Sequence, residues 1–271
     1  MNERNPLSPQ TSIGADPAAA SHLDDQRRRF EEQAGEYSDH HSNALAQEYR
    51  DRFIRRRVVP DDLSGTHVLD AMCGSGEETG ALLARGAAVQ GLDLSPRFAE
   101  AYHDRWGLPC QTASITDTGF PDESFDAVYI CGGLHHIVPQ LSAAIDEVHR
   151  ILRPGGLFIF VEPNSSSWTD RLRRVWYRID RRFTDEEQAI SVEADIGPLN
   201  RGRFDTEVAI EAGGVAYLLV AQSFVLRTPQ RFRDWVGPRL FRLEAALEGS
   251  HLDPRFFVCC RMRKRGPGSE G

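Results

Sequence analysis

From Thr66 to Pro163 the chain switches repeatedly between short apolar runs and amphipathic helical stretches. "THVLDAM", "AAVQGLDL", "PCQTASI", "SFDAVYICGG" and "LFIFVEP" read as strands. "ETGALLARG", "SPRFAEAYHDRWG" and "PQLSAAIDEVHRILRPGG" read as helices. Ser95 caps the second of these, Pro96 starts it and Gly107 closes it, while a Pro-Gly-Gly stop follows the third. Strands in such alternation build a parallel sheet with helices on both faces. Sheets of this kind receive ligands at the carboxyl ends of their strands.

The flanks read differently. Residues 1–22 are rich in Pro, Ser, Ala and Asn without periodicity, and are expected to be a disordered tail. Residues 23–60 read as a helical lid. Apolar positions recur at helical spacing over 24–37 and 43–58, as in Ala46, Tyr49, Phe53 and Val58, and Pro60 ends the second helix. The main domain is expected over 61–265, with a polar, Arg-rich insertion at 163–212. "GGVAYLLVAQSFVLR" then reads as a long strand, 229–249 as a helix and "RFFVCCRMRK" as a last strand. The expected fold is α/β: a doubly wound, mostly parallel, seven-stranded Rossmann-like sheet.

A net charge of −8 argues against a general nucleic-acid binder, and no DNA partner is expected. The N-terminus has no apolar core of a secretory signal and no run reaches the length of a membrane span. The expected location is the cytoplasm. Five cysteines, Cys73, Cys110, Cys131, Cys259 and Cys260, show neither a disulfide framework nor metal-ligand spacing. They are read as buried free thiols, and no metal is expected.

"VLDAMCGSGEETGALL" carries the first functional signal. A dinucleotide loop places pyrophosphate on the helix N-terminus and wants a third small residue. Here Thr79 takes that third place, and Glu77 and Glu78 occupy the first helical turn, where they would repel pyrophosphate. S-adenosylmethionine, with a sulfonium, an ammonium and one carboxylate, suits the loop better, and Asp70 can face its positive charge. Asp93 ends the second strand 17 residues after Gly76, where an acid takes ribose hydroxyls in doubly wound folds.

"VLDAMCGSG", "VQGLDLSP", "FPDESFDAVYICGGLHHI" and "VHRILRPGGLFIFVEP", in this order and spacing, resemble the class I S-adenosylmethionine-dependent methyltransferases. The likeness covers about residues 66–162 and is strongest to the small-molecule branch of ubiquinone-type and natural-product enzymes. It implies that Asp70, Gly74 and Gly76 line the methionine part of the cofactor. Asp93 would take both ribose hydroxyls, with Leu94 on the adenine face and Ser114 and Ile115 at its edge. Cys131 and Gly132 would meet the methionine backbone. The family often has aspartate where Ser114 stands, and usually glycine or alanine where Met72 stands. Met72 at positive φ would cost roughly 1–2 kcal/mol, so a β-region backbone with the thioether in the sheet packing is expected.

The methyl acceptor is expected above the ends of strands four and five. His135 and His136 lie there and are candidate general bases, His135 the preferred one. Either could instead cap or pack the following helix. "CGGL" replaces the Asn/Asp-Pro-Pro-Tyr/Phe motif of enzymes that methylate amino groups of DNA bases or glutamine. "FEEQAGEYSDHH" resembles the family's cofactor-closing element, with Tyr37 closing and His40 and His41 near the acceptor. "RLRRVWYRIDRR" holds six arginines with Trp176 and Tyr177 and reads either as an acceptor-binding segment or as a solvated helix.

The leading reading is methyl transfer to a small-molecule acceptor, at a hydroxyl oxygen, in specialised biosynthesis. Nitrogen or carbon acceptors, a cofactor-binding protein without transfer, and an RNA methyltransferase stay open. A small-molecule acceptor is the expected partner, with no membrane partner; a homodimer also stays open.

Overall fold

The computed structural model describes residues 43–167, 189–221 and 228–266. The tail at 1–22, the helix expected over 24–37, and Tyr37, His40, His41, Trp176 and Tyr177 lie outside the described residues. Strands β1 (His67–Ala71), β2 (Ala88–Asp93), β3 (Cys110–Thr112), β4 (Phe125–Cys131), β5 (Leu152–Pro163), β6 (Phe204–Ala212) and β7 (Phe257–Lys264) form one sheet. Its order is β3-β2-β1-β4-β5-β7-β6. β1 to β5 run parallel; β7 is antiparallel to both β5 and β6. The order reverses at β1, which lies between β2 and β4. A crevice at the carboxyl ends of β1 and β4 follows from that reversal.

Strand residues alternate between two apolar cores, as a sheet covered on both faces requires. Ala127, Tyr129, Leu157, Ile159 and Cys259 face one core, and Val128, Ile130, Phe158, Phe160 and Cys260 face the other. The first core is closed by residues 44–58, named α1, by the segment around Tyr217–Ala221 and by α5 (Gln230–Leu247). The second is closed by α4 (Leu141–Ile151). Between them, α2 (Thr79–Leu83) and α3 (Pro96–Trp106) flank β2. Ser95 accepts from the Phe98 amide and Gly107 ends α3 in the left-handed region, as their sequence positions suggest. All five cysteines are free; Cys110 and Cys131 are only half-buried.

Two expectations are corrected. The insertion does not reach 212, because Phe204–Ala212 is the edge strand β6. Its charges hid it: Asp205 pairs with Arg265, and Glu207 with Arg261 and Arg263, across to β7 and its end. The apolar run after Gly214 is helical at Tyr217–Ala221 rather than a strand. Ala216, Tyr217, Val220 and Ala221 are its buried positions, a helical spacing. Residues 164–203 therefore connect β5 to β6. Their neck is tied at the end of β5, where the Ile190 amide donates to the Pro163 carbonyl at 2.8 Å and Ser165 donates to Ile190 at 3.2 Å. Among the described residues no helix is long and apolar enough to cross a membrane.

Candidate functional site

The loop from Met72 to Glu78 leaves β1 at the crevice. The Cys73 amide donates to the Leu92 carbonyl at 3.1 Å and pins the loop to β2. Met72 has φ 55°, which contradicts the β-region expectation. The tight exit from β1 demands the left-handed conformation that glycine adopts freely, and methionine is strained there. Its thioether reaches towards Gly133, where an added Cβ would lie 2.6 Å from the sulfur. Gly76 is required by a neighbour rather than by open space. The Trp106 indole, last residue of α3, donates to the Gly76 carbonyl at 3.0 Å, and a Cβ at Gly76 would lie 2.4 Å from its nitrogen. Gly74, in contrast, meets only the Glu77 carboxylate, at 3.3 Å.

The two loop acids do not repel from the front; they brace the loop from behind. Glu78 is buried and accepts from Arg50 and Arg55 of α1, the latter at 2.8 Å, and from the Tyr129 hydroxyl of β4 at 3.1 Å. Burial alone would raise its carboxyl, but Arg55 and Arg50 outweigh that and hold it far below the usual range. Glu77 accepts from the Ser75 hydroxyl at 2.5 Å and lies 3.6 Å from Arg105, while its carbonyl takes a bond from Gln47. With their charge matched locally, these acids do not exclude a phosphate as the sequence argument supposed. Arg50, Arg55 and Tyr129 carried no sequence signal; the docking of α1 brings the two arginines to the loop, and β4 brings the tyrosine.

Asp70 is also turned inward. It is 2% exposed and accepts from the Thr79 hydroxyl at 2.6 Å, closing the start of α2. Burial raises its carboxyl well above the ordinary range. Asp93 takes the place at the mouth. One oxygen accepts from the Gly74 amide and the other from the Ser95 amide, both at 2.9 Å. Burial pushes its carboxyl up to about 6. Leu94 beside it is half-buried. Ser114 pairs with Thr116 through their hydroxyls at 2.7 Å, and Ile115 is 3% exposed.

At the end of β4, Cys131 is half-buried, and burial pushes its thiol up to about 12. Gly132 follows with φ 69° and donates to Val161 of β5 at 2.8 Å. His135 lies against Gly132, its Cε1 4.0 Å from where a Cβ would stand. Its Nδ1 is 2.7 Å from Glu162 of β5, and the His136 ring lies beside it with centroids 3.9 Å apart. The two histidines sit in a short 3-10 turn, Leu134–His136, ahead of α4. Gly74, Asp93 and Leu94 thus stand at the carboxyl ends of β1 and β2, and Cys131, Gly132 and His135 at that of β4.

Over residues 69–160 the sequence matches a family profile described as a methyltransferase domain. The matched stretch runs from β1 to β5 and is similar to methyltransferase domains. Among its curated relatives, a demethylmenaquinone methyltransferase of Clavibacter sepedonicus is 36% identical over 111 residues, 40% of this chain and 44% of that protein. A fatty-acid O-methyltransferase of Mycolicibacterium smegmatis is 35% identical over 106 residues, 37% of this chain and 38% of that protein. The chain spans half or less of the length of these curated relatives. Among solved structures, the N-methyltransferase NodS of Bradyrhizobium japonicum, in complex with S-adenosyl-L-homocysteine, aligns with a TM-score of 0.54. That match covers 90% of this chain and 99% of the other at 15% identity, a likeness of fold. The S-adenosyl-L-homocysteine held by that neighbour is the demethylated form of S-adenosylmethionine. The residues present suit it. A carboxylate offers about four lone-pair sites, and the backbone amides of Gly74, Ser95 and Leu94 orient that of Asp93 without using all of them.

Proposed function

We propose that this chain moves a methyl group from S-adenosylmethionine to a hydroxyl oxygen of a small molecule in specialised biosynthesis. The observation that carries the hydroxyl is His135, an imidazole at the end of β4 against Gly132 and tied through Nδ1 to a buried carboxylate. A base so placed beside the methionine end of a cofactor site serves an acceptor that must lose a proton. The relative named for O-methylation of fatty acids supports an oxygen acceptor. When bound, S-adenosylmethionine supplies an electrophilic methyl group. The chain's own work is to hold, orient and deprotonate. Asp93 accepts the ribose hydroxyls, Leu94 packs on adenine, and Ser114 and Ile115 line its edge. Gly74, Gly76, Cys131 and Gly132 border the methionine part, and Asp70 acts behind them through Thr79. Residues 24–43, with Tyr37, His40 and His41, roof the acceptor, together with the connection after β5 that holds Trp176 and Tyr177. Removing all of 163–212 would take β6 with it; a trim for testing the roof has to stop before Phe204.

Asp93→Ala is the direct test of the cofactor site. It removes hydrogen bonds to a charged acceptor and should weaken binding of S-adenosylhomocysteine by roughly 1.5–3 kcal/mol in calorimetry. The pH dependence has a definite sign. Hydroxyls donating to Asp93 favour its ionised form, and this carboxyl titrates at about 6. Affinity should therefore hold above that pH and decline below it, and the alanine variant should lose the decline. An unchanged affinity in the variant would reduce Asp93 to a clamp between Gly74 and Ser95.

A further inference from the structure

Glu162, the penultimate residue of β5, is a carboxylate whose side chain has no exposed surface. Its bonding is directed at one place, the three residues that follow Gly132. One oxygen accepts from the amides of Gly133 at 2.9 Å and Leu134 at 2.8 Å. The other accepts from the amide of His135 at 3.4 Å and stands 2.7 Å from its Nδ1. A carboxylate buried at this depth is costly unless each lone pair finds a donor, and here the donors come from backbone and imidazole together. The amide bonds set the turn Leu134–His136; the ring bond sets the imidazole itself.

From this geometry we infer that Glu162 is the positioning residue of the acceptor site, holding His135 as the tautomer that carries its proton on Nδ1 and offers Nε2 as the base. The inference rests on the reading of His135 as the base. An ionised carboxylate only accepts, so the hydrogen bond at 2.7 Å places the proton on Nδ1 and leaves the Nε2 lone pair free for the substrate. In transfer, the acceptor hydroxyl proton goes to Nε2 and the oxygen lone pair forms the bond to the methyl carbon. The carbon–sulfur bond breaks with its electrons left on sulfur. The imidazolium so formed lies directly on the Glu162 carboxylate, which stabilises it as it appears. The His136 ring lies against the same imidazole, tilted by 39°. A glutamate serving only to cap the turn would need its amide bonds and no particular ring tautomer.

The two roles separate in a long-range proton–nitrogen NMR correlation on the full chain labelled with ¹⁵N-histidine, with His135 assigned by the loss of its signals in His135→Gln. In the unsubstituted protein at pH 8, His135 should show a protonated Nδ1 and a bare Nε2. In Glu162→Gln the amide can still accept from the Gly133 and Leu134 N–H groups. Its NH₂ now donates to Nδ1, so the proton should move to Nε2. Glu162→Asp, which keeps the charge, should retain the original pattern. A bare Nδ1 in the unsubstituted protein would overturn the inference, and that reading does not depend on either variant folding. A protonated Nδ1 that persists in Glu162→Gln would do the same. Failure of the parent reading looks different. His135→Ala with undiminished methyl transfer removes His135 as the base while leaving the tautomer result intact.

Discussion

Glu78→Gln should destabilise the protein by about 3–5 kcal/mol, because breaking a buried ion pair leaves the opposite charges in a low-dielectric site. Two guanidinium groups, Arg50 and Arg55, pair with that one carboxylate, with side chains 8% and 4% exposed, and Arg55 also donates to Gln47. Urea denaturation with linear extrapolation measures the loss. A loss under about 1 kcal/mol would mean that the cluster relaxes like a surface pair. The pH dependence checks the same point. The carboxyl is held far below its unfolded value of about 4.3. Its contribution is then fully present above that value and is lost as the pH falls towards the folded one. The gap between the unsubstituted protein and Glu78→Gln should be flat from about pH 5 to 8 and narrow below about pH 4, where Glu78 of the unfolded chain takes up a proton and the folded one does not. Because the cluster ties α1 to the glycine loop, cofactor affinity should fall along with stability.

His135→Ala carries the second large effect. Loss of a general base typically costs about 10²–10⁴-fold in rate. Cofactor affinity should change little, since the imidazole lies beyond Gly132 and holds no part of the loop. Turnover followed with a methyl-labelled donor should show the drop, and His136→Ala a smaller one, because the Nδ1 bond to Glu162 belongs to His135, against which His136 lies. Near-normal turnover in both variants would move the base elsewhere, with His40 and His41 next in line. If those are silent too, the acceptor needs no base and the enzyme works by placement.

The parallel half of the sheet was legible because its strands are apolar on both faces and its helices carry ordinary caps, as at Ser95 and Gly107. The edge was not. β6 carries Asp205, Glu207 and Glu211 and looks like a polar connection until their arginine partners on β7 and beyond are known. The run 215–221 is apolar and short, and such runs look alike as buried helix and buried strand. In the site, Asp93 could be found by its distance from the glycine loop. Glu162 could be placed near His135 and His136 from the ends of their strands, but its bonds to the turn at Leu134–His136 could not be read there. Met72 misled in the opposite sense. Steric cost argued for a β-region backbone, yet the exit from β1 imposes φ 55° on whatever residue stands there.

The central claim is that the crevice at β1, β2 and β4 is an S-adenosylmethionine site. Isothermal titration of the full chain with S-adenosylhomocysteine, S-adenosylmethionine and NAD tests it most directly, now that the charge of Glu77 and Glu78 no longer excludes a dinucleotide. The account predicts micromolar binding of both sulfur nucleotides and no heat from NAD. Binding of NAD, or of neither sulfur nucleotide, would contradict it.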